Sequence, residues 1–143
     1  MHAHPKLVAI DTRALLSTLW TFVLFNVVFR DLHDFFSPGF IEELIAGVGN
    51  GNQVTNETLL VAAMVMEIPI AMILLSRILR YRVNRWANII AGTLTIAFTI
   101  ALGIKDLDDT FFAIVDIAAL SAILRLAWKW RHDEPSPPIL SRT

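Results

Sequence analysis

The sequence predicts an all-α membrane protein, a four-transmembrane-helix bundle with a short amphipathic helix in its first outer connection. Three observations carry this reading. First, 55% of the residues are hydrophobic and only 17% are charged. Average soluble domains carry about 45–50% and about 25%, so charges are too few here to cover a compact water-soluble surface. Second, four stretches, residues 14–29, 58–76, 86–104 and 111–128, are nearly free of charge. Each approaches the roughly 20 residues a helix needs to cross a hydrocarbon core about 30 Å thick. Third, Lys and Arg are segregated. In a four-pass arrangement ten of the twelve fall on one side, and only Arg30 and Lys105 fall on the other. Basic loops favour the cytoplasm, so both termini are expected there and the protein in the inner (plasma) membrane.

The domain division follows: a cytoplasmic N-terminal segment at 1–13, a transmembrane domain at 14–130 and a flexible cytoplasmic tail at 131–143. Residues 1–11 lack an apolar run before a small-residue cleavage site, so span one is expected to act as its own insertion signal. Arg13 and Arg30 bound that span. The longest connection comes next, where Ser37 suits a helix N-cap, Pro38 the first helical position, and Phe40, Ile41, Leu44, Ile45 and Val48 recur at helical spacing. Gly47 can close this helix, Gly49 to Asn52 make a flexible return, and Asn56 caps span two. A soluble bundle would show a polar stripe on each helix, whereas residues 59–75 contain one charge and no polar face.

Between spans two and three, residues 77–85 hold four arginines and no acid. They read first as a topology determinant beside anionic lipid. They also offer headgroup contacts through Arg77, Arg80, Arg82, Asn84, Arg85 and Asn88, combining guanidinium forks with amides at the start of span three. Tyr81, Trp86, Trp128 and Trp130 mark the same boundary, where amphipathic rings are favoured. The tail, with Pro135, Pro137 and Pro138, has nothing to pack.

Two acids fall inside the spans, Glu67 in span two and Asp116 in span four. Ionisable groups at such depth normally face protein or a water cavity and need partners. Each has alanines one turn away, and span three offers a small, polar stripe of Asn88, Gly92, Thr95, Thr99 and Gly103. Counting from the outer ends at about 1.5 Å per residue puts Glu67, Asp116, Thr99 and Asn26 within roughly 8 Å of one depth. An intramembrane polar cluster of Glu67, Asp116, Thr95, Thr99 and Asn26 is therefore expected, with Arg30 able to reach Asp116. Pro69 lies two residues beyond Glu67, where it removes a helical hydrogen bond to Val65 and kinks span two.

Several chemistries are set aside. The chain has no cysteine and a formal charge of −1, which excludes disulfides and thiolate metal sites and argues against nucleic acid. All four histidines, His2, His4, His33 and His132, are placed in tails or an outer loop, so no metal or haem site and no cofactor is implied. No nucleophile motif or phosphate loop occurs. The reading is a noncatalytic lipid-binding, partner-binding or structural module. Its fitting partners are membrane lipids, a second copy, or a small hydrophobic or cationic ligand. The rival is a small proton-coupled transporter using Glu67 near the Pro69 kink.

The stretch MEIPIAMILLSRILRYRVNRWANI from Met66, together with LSTLWTFVLFN from Leu16 and LAWKW ending at Trp130, resembles a family of small bacterial and archaeal four-helix membrane proteins of unknown function. It is also broadly similar to DoxX-like proteins. The resemblance implies that Glu67, Pro69, Ser76, Arg77, Asn84, Arg85 and Asn88 are recurrent positions, and it implies no activity. Where relatives carry an acid in span four it is glutamate, whereas Asp116 is shorter.

Overall fold

The computed structural model describes residues 11–49, 52–101 and 107–130. In chain order the elements are α1 (Thr12–Asp34), α2 (Phe40–Ile45), β1 (Val48–Gly49), β2 (Asn52–Gln53), α3 (Asn56–Ile78), α4 (Tyr81–Ala101) and α5 (Leu107–Lys129). Helices α1, α3 and α5 are each long and apolar enough to cross a membrane. The expectations for residues 1–10, for Gly103 and Lys105 and for the tail from Arg131 fall outside the described residues.

Helix α4 is not among those three, and its pattern explains why. Asn84, Asn88, Gly92, Thr95 and Thr99 are buried, while Val83, Trp86, Ile90, Leu94 and Ile100 are exposed. The buried asparagines and threonines face the protein and the large apolar side chains face outward, the reverse of a helix at a water-soluble surface.

Helices α1, α3 and α5 run beyond their expected spans at both ends, and α4 begins five residues before its expected start. α1 continues through Asp34 because no breaker occurs before Ser37, so His33 lies in its last turn rather than in a loop. α4 starts at Tyr81, so the expected nine-residue arginine connection shrinks to Leu79 and Arg80. α3 is capped by Thr55, not Asn56: the hydroxyls of Thr55 and Thr58 each accept the other's backbone N–H. This reciprocal box satisfies donors left over at a helix start. The helix continues through Pro69.

The first connection departs furthest from expectation. α2 has Gly39, at φ 85°, as its N-cap, with no side-chain bond from Ser37, and none of its residues is buried. Gly47, at φ 73°, follows it in the left-handed region that glycine tolerates. The return is an antiparallel strand pair with Val48 opposite Gln53 and Gly49 opposite Asn52.

The four long helices form a ring in which α1 and α4 each pack against both α3 and α5. Leu16, Trp20 and Val23 of α1 meet Met72, Ala91, Leu120 and Ile123 at the centre. Gly92 permits the close approach of α4 to α5, since a Cβ there would stand 3.1 Å from Leu124 Cδ2.

Candidate functional site

At the end of the ring rich in acids, α1 and α5 run antiparallel and are joined by three polar rungs. Asn26 Nδ2 donates to the Phe112 carbonyl at 3.0 Å, Arg30 Nε to Asp109 Oδ1 at 2.8 Å, and His33 Nδ1 lies 2.8 Å from Asp108 Oδ2. Residues 26, 30 and 33 share one face of α1 because they are spaced by four and three. The Arg30–Asp109 pair is largely shielded, with side chains only 16% and 9% exposed.

Beside this ladder is a partly open cavity of about 740 Å³, bounded by all four long helices and by the chain leading into α2. One part of its wall is apolar, formed by Val27, Val61, Val65, Met66, Pro69 and Phe98. The rest is acidic: Asp31, Asp34, Glu43, Glu57, Asp109 and Asp116, with Arg30 the basic residue among them. Asp116 is 1% exposed, and its Oδ1 has no hydrogen-bond partner. Thr95 and Thr99 also line the cavity, but their hydroxyls donate to the carbonyls of Ala91 and Thr95 on their own helix. They present lone pairs, not protons, to the space. Proline has no N–H to offer the Val65 carbonyl, and Val65 and Pro69 lie on the same wall.

The expected cluster is therefore assembled in part. Asp116, Thr95 and Thr99 come together, and Asn26 stands beside Asp116 while bonding Phe112. Glu67 does not join them. It is exposed on the outer side of α3 among Leu60, Met64, Ile70 and Leu74. The physical reason is the helical period: Ala62, Val65, Met66 and Pro69 occupy the face that lines the cavity, which leaves residue 67 pointing away. Arg30, expected near Asp116, bonds Asp109 two turns away.

At the opposite end, rich in arginine, the structure corrects the reading of Asn84 and Asn88 as headgroup contacts. Both are fully buried. Trp20 Nε1 donates to Asn88 Oδ1 at 2.7 Å, and Ser76 Oγ donates to the same oxygen at 3.3 Å. Asn88 Nδ2 donates to Asn84 Oδ1 at 2.7 Å, and Asn84 Nδ2 donates to the Ser76 carbonyl at 2.7 Å. That carbonyl lies in the last turn of α3, where helix acceptors lack intrahelical donors. The network locks α1, α3 and α4 together, and Trp20 is the member that sequence reasoning missed. Arg77, Arg80 and Arg82 are exposed. Arg85 is half-buried, its guanidinium 5.6 Å from the centre of the Trp128 ring, and Tyr81 donates its hydroxyl to the Trp130 carbonyl at 2.6 Å.

Among the described residues no group of three or more His, Cys, Asp or Glu is placed to hold a metal ion. The arrangement offers acceptors and apolar surface rather than a nucleophile with its base. The chain belongs to a family of unknown function, DUF6326, whose model matches residues 8–136. No curated protein and no solved structure matches it. The narrower likeness to DoxX-like, bacterial and archaeal proteins gains nothing from these comparisons.

Proposed function

We propose that this member of a family of unknown function is a noncatalytic four-pass membrane module that binds an amphipathic molecule, a lipid or a hydrophobic ligand, in the cavity beside Asp116. α4 is the fourth span: its outward face carries Val83, Trp86, Ile90, Leu94 and Ile100, and Asn84, Asn88, Thr95 and Thr99 are buried inside. With the arginines between α3 and α4 in the cytoplasm of the inner membrane, both termini lie there too and the acidic end faces out. α2 then rests at the outer surface.

One observation carries the binding reading. A cavity of about 740 Å³ is within the 300–1,000 Å³ typical of small-molecule sites, which are mostly apolar with a few convergent polar groups. A purely structural role for Asp116, as glue between helices, would use both carboxylate oxygens, yet one is unpartnered. Transport driven through Glu67 loses its motivation, because that side chain is on the far face of α3 from the cavity. The test is native mass spectrometry of the purified full chain after extensive delipidation. Wild type is expected to retain a hydrophobic molecule of defined mass, and Ala62→Trp, which fills the cavity from α3, is expected to lose it with unchanged helix content. Detection of exchangeable detergent alone in both proteins overturns the reading.

A further inference from the structure

The cavity also has a sign. Arg30, the basic residue lining it, is engaged with Asp109 at 2.8 Å. Five further carboxylates line the same space, those of Asp31, Asp34, Glu43, Glu57 and Asp116. An acidic cluster alone would be a solvated surface, but Asp116 differs from the others. It is 1% exposed, lines the cavity further along the helices than the other carboxylates, and has one oxygen, Oδ1, without a hydrogen-bond partner. A buried polar atom in that state is costly unless something supplies the missing bond. The threonine protons are committed to backbone carbonyls, and the Asn26 amide beside Asp116 donates to the Phe112 carbonyl and leaves Oδ1 without a partner. The deep wall is thus rich in acceptors and poor in donors. Asp116 and the threonine lone pairs favour a donor or a positive charge, and Phe98 lines the same space.

Resting on the binding function proposed above, we infer that the ligand is a lipophilic ammonium compound whose positive group sits against Asp116 and whose chain lies along Val61, Val65 and Met66. The acidic rim draws cations towards the cavity and turns anions away, since clefts lined by one sign of charge focus the field. A fatty acid or an anionic lipid headgroup would bring like charge against Asp116, Asp31 and Glu57. The ammonium could belong to a free long-chain amine or to a choline-type headgroup.

The experiment titrates the full chain in dodecyl maltoside micelles with dodecyltrimethylammonium, with its uncharged carbon isostere bearing a 3,3-dimethylbutyl head, and with dodecylphosphocholine, following the heat of binding. Wild type is expected to bind the ammonium about tenfold or more tightly than the isostere, the size of a charge-assisted contact. Asp116→Asn, which keeps shape and fold, is expected to erase that preference and leave isostere binding unchanged. Glu57→Gln at the rim, which touches no buried group, is expected to weaken ammonium binding about two- to threefold, as a partly screened charge would. Dodecylphosphocholine binding as tightly as the ammonium assigns the source to a lipid headgroup, and much weaker binding assigns it to a free amine; either supports the shared chemistry. Equal binding of ammonium and isostere, or a preference that survives Asp116→Asn, overturns the inference while the cavity function stands. Failure of all three probes to bind overturns both.

Discussion

Trp20 and Asn88 lie 68 positions apart and meet through a 2.7 Å hydrogen bond in a fully buried setting. Membrane hydrogen bonds average about 0.6 kcal/mol when one partner is deleted and the remainder can adapt. Leaving a buried donor with no acceptor costs more, about 1–3 kcal/mol. Asn88 accepts from both Trp20 and Ser76, so the two ends of this bond are not equivalent. Trp20→Phe is expected to lower stability by about 1 kcal/mol or less beyond its packing loss. Asn88→Leu, which strands the Trp20 and Ser76 donors together, is expected to cost about 2–4 kcal/mol. Denaturant unfolding in micelles, followed by circular dichroism, checks the order; Trp20→Phe proving the more damaging would contradict it.

The Arg30–Asp109 bond closes the acidic end of α1 on α5. Its two side chains are largely shielded, so breaking it leaves an uncompensated charge, whereas replacing both members removes the problem. Asp109→Leu alone is expected to destabilise by about 3 kcal/mol and the double variant Arg30→Met, Asp109→Leu by clearly less. A double-mutant cycle measures this. Strict additivity of the two single losses would mean that the pair is not coupled.

The all-helical character, the charge asymmetry of the two ends and the buried stripe on α4 were legible because each rests on a long period: runs of apolar residues, segregated arginines, and Asn88, Gly92, Thr95 and Thr99 at steps of three or four. What escaped depends on rotation and on distant partners. Glu67 and Asp116 look alike in the sequence, each a lone acid flanked by alanines, yet one side chain faces outward and the other inward. The apolar residues of α3 surround it almost evenly, so nothing in the pattern says which face is inside. Trp20 reads as one more apolar residue of span one until Asn88 is brought beside it. The strand pair after α2 was signalled and missed: Asn50-Gly51 between short flanks is a strong hairpin signal, although these two residues lie outside the described ones. The cavity has no counterpart in the sequence, since it is the space that four helices leave between them.

Gly92 stands where α4 approaches α5, and an added Cβ would lie 3.1 Å from the tip of Leu124. The neighbour there is the end of a flexible side chain, which can yield by a few tenths of an ångström. Gly92→Ala is therefore expected to be close to neutral, helped by the better helix propensity of alanine, about 1 kcal/mol in an isolated helix. Gly92→Val adds bulk that Leu124 alone cannot absorb and is expected to cost about 1–3 kcal/mol. Thermal unfolding of the two variants decides; similar loss in both would show that the backbone, rather than Leu124, sets the limit.

Glu67 provides the sharpest contrast with Asp116. It lies on the outward side of α3 with no partner among the described residues, whereas Asp116 is enclosed by its neighbours. A charge in a hydrocarbon-facing position is unfavourable by roughly 2.5–3.5 kcal/mol on insertion scales for acids at a helix centre. Removing it should therefore relieve the chain rather than harm it, unless a second copy covers that face. Glu67→Leu is expected to leave the unfolding of the solubilised single chain unchanged or to raise it by up to about 1 kcal/mol, and to leave ligand retention intact. The same measurements on Asp116→Leu are expected to show loss of ligand. Sedimentation of wild type and Glu67→Leu in micelles completes the test. If the substitution lowers stability and also converts a dimer to single chains, then Glu67 is buried between copies and its outward position is an interface.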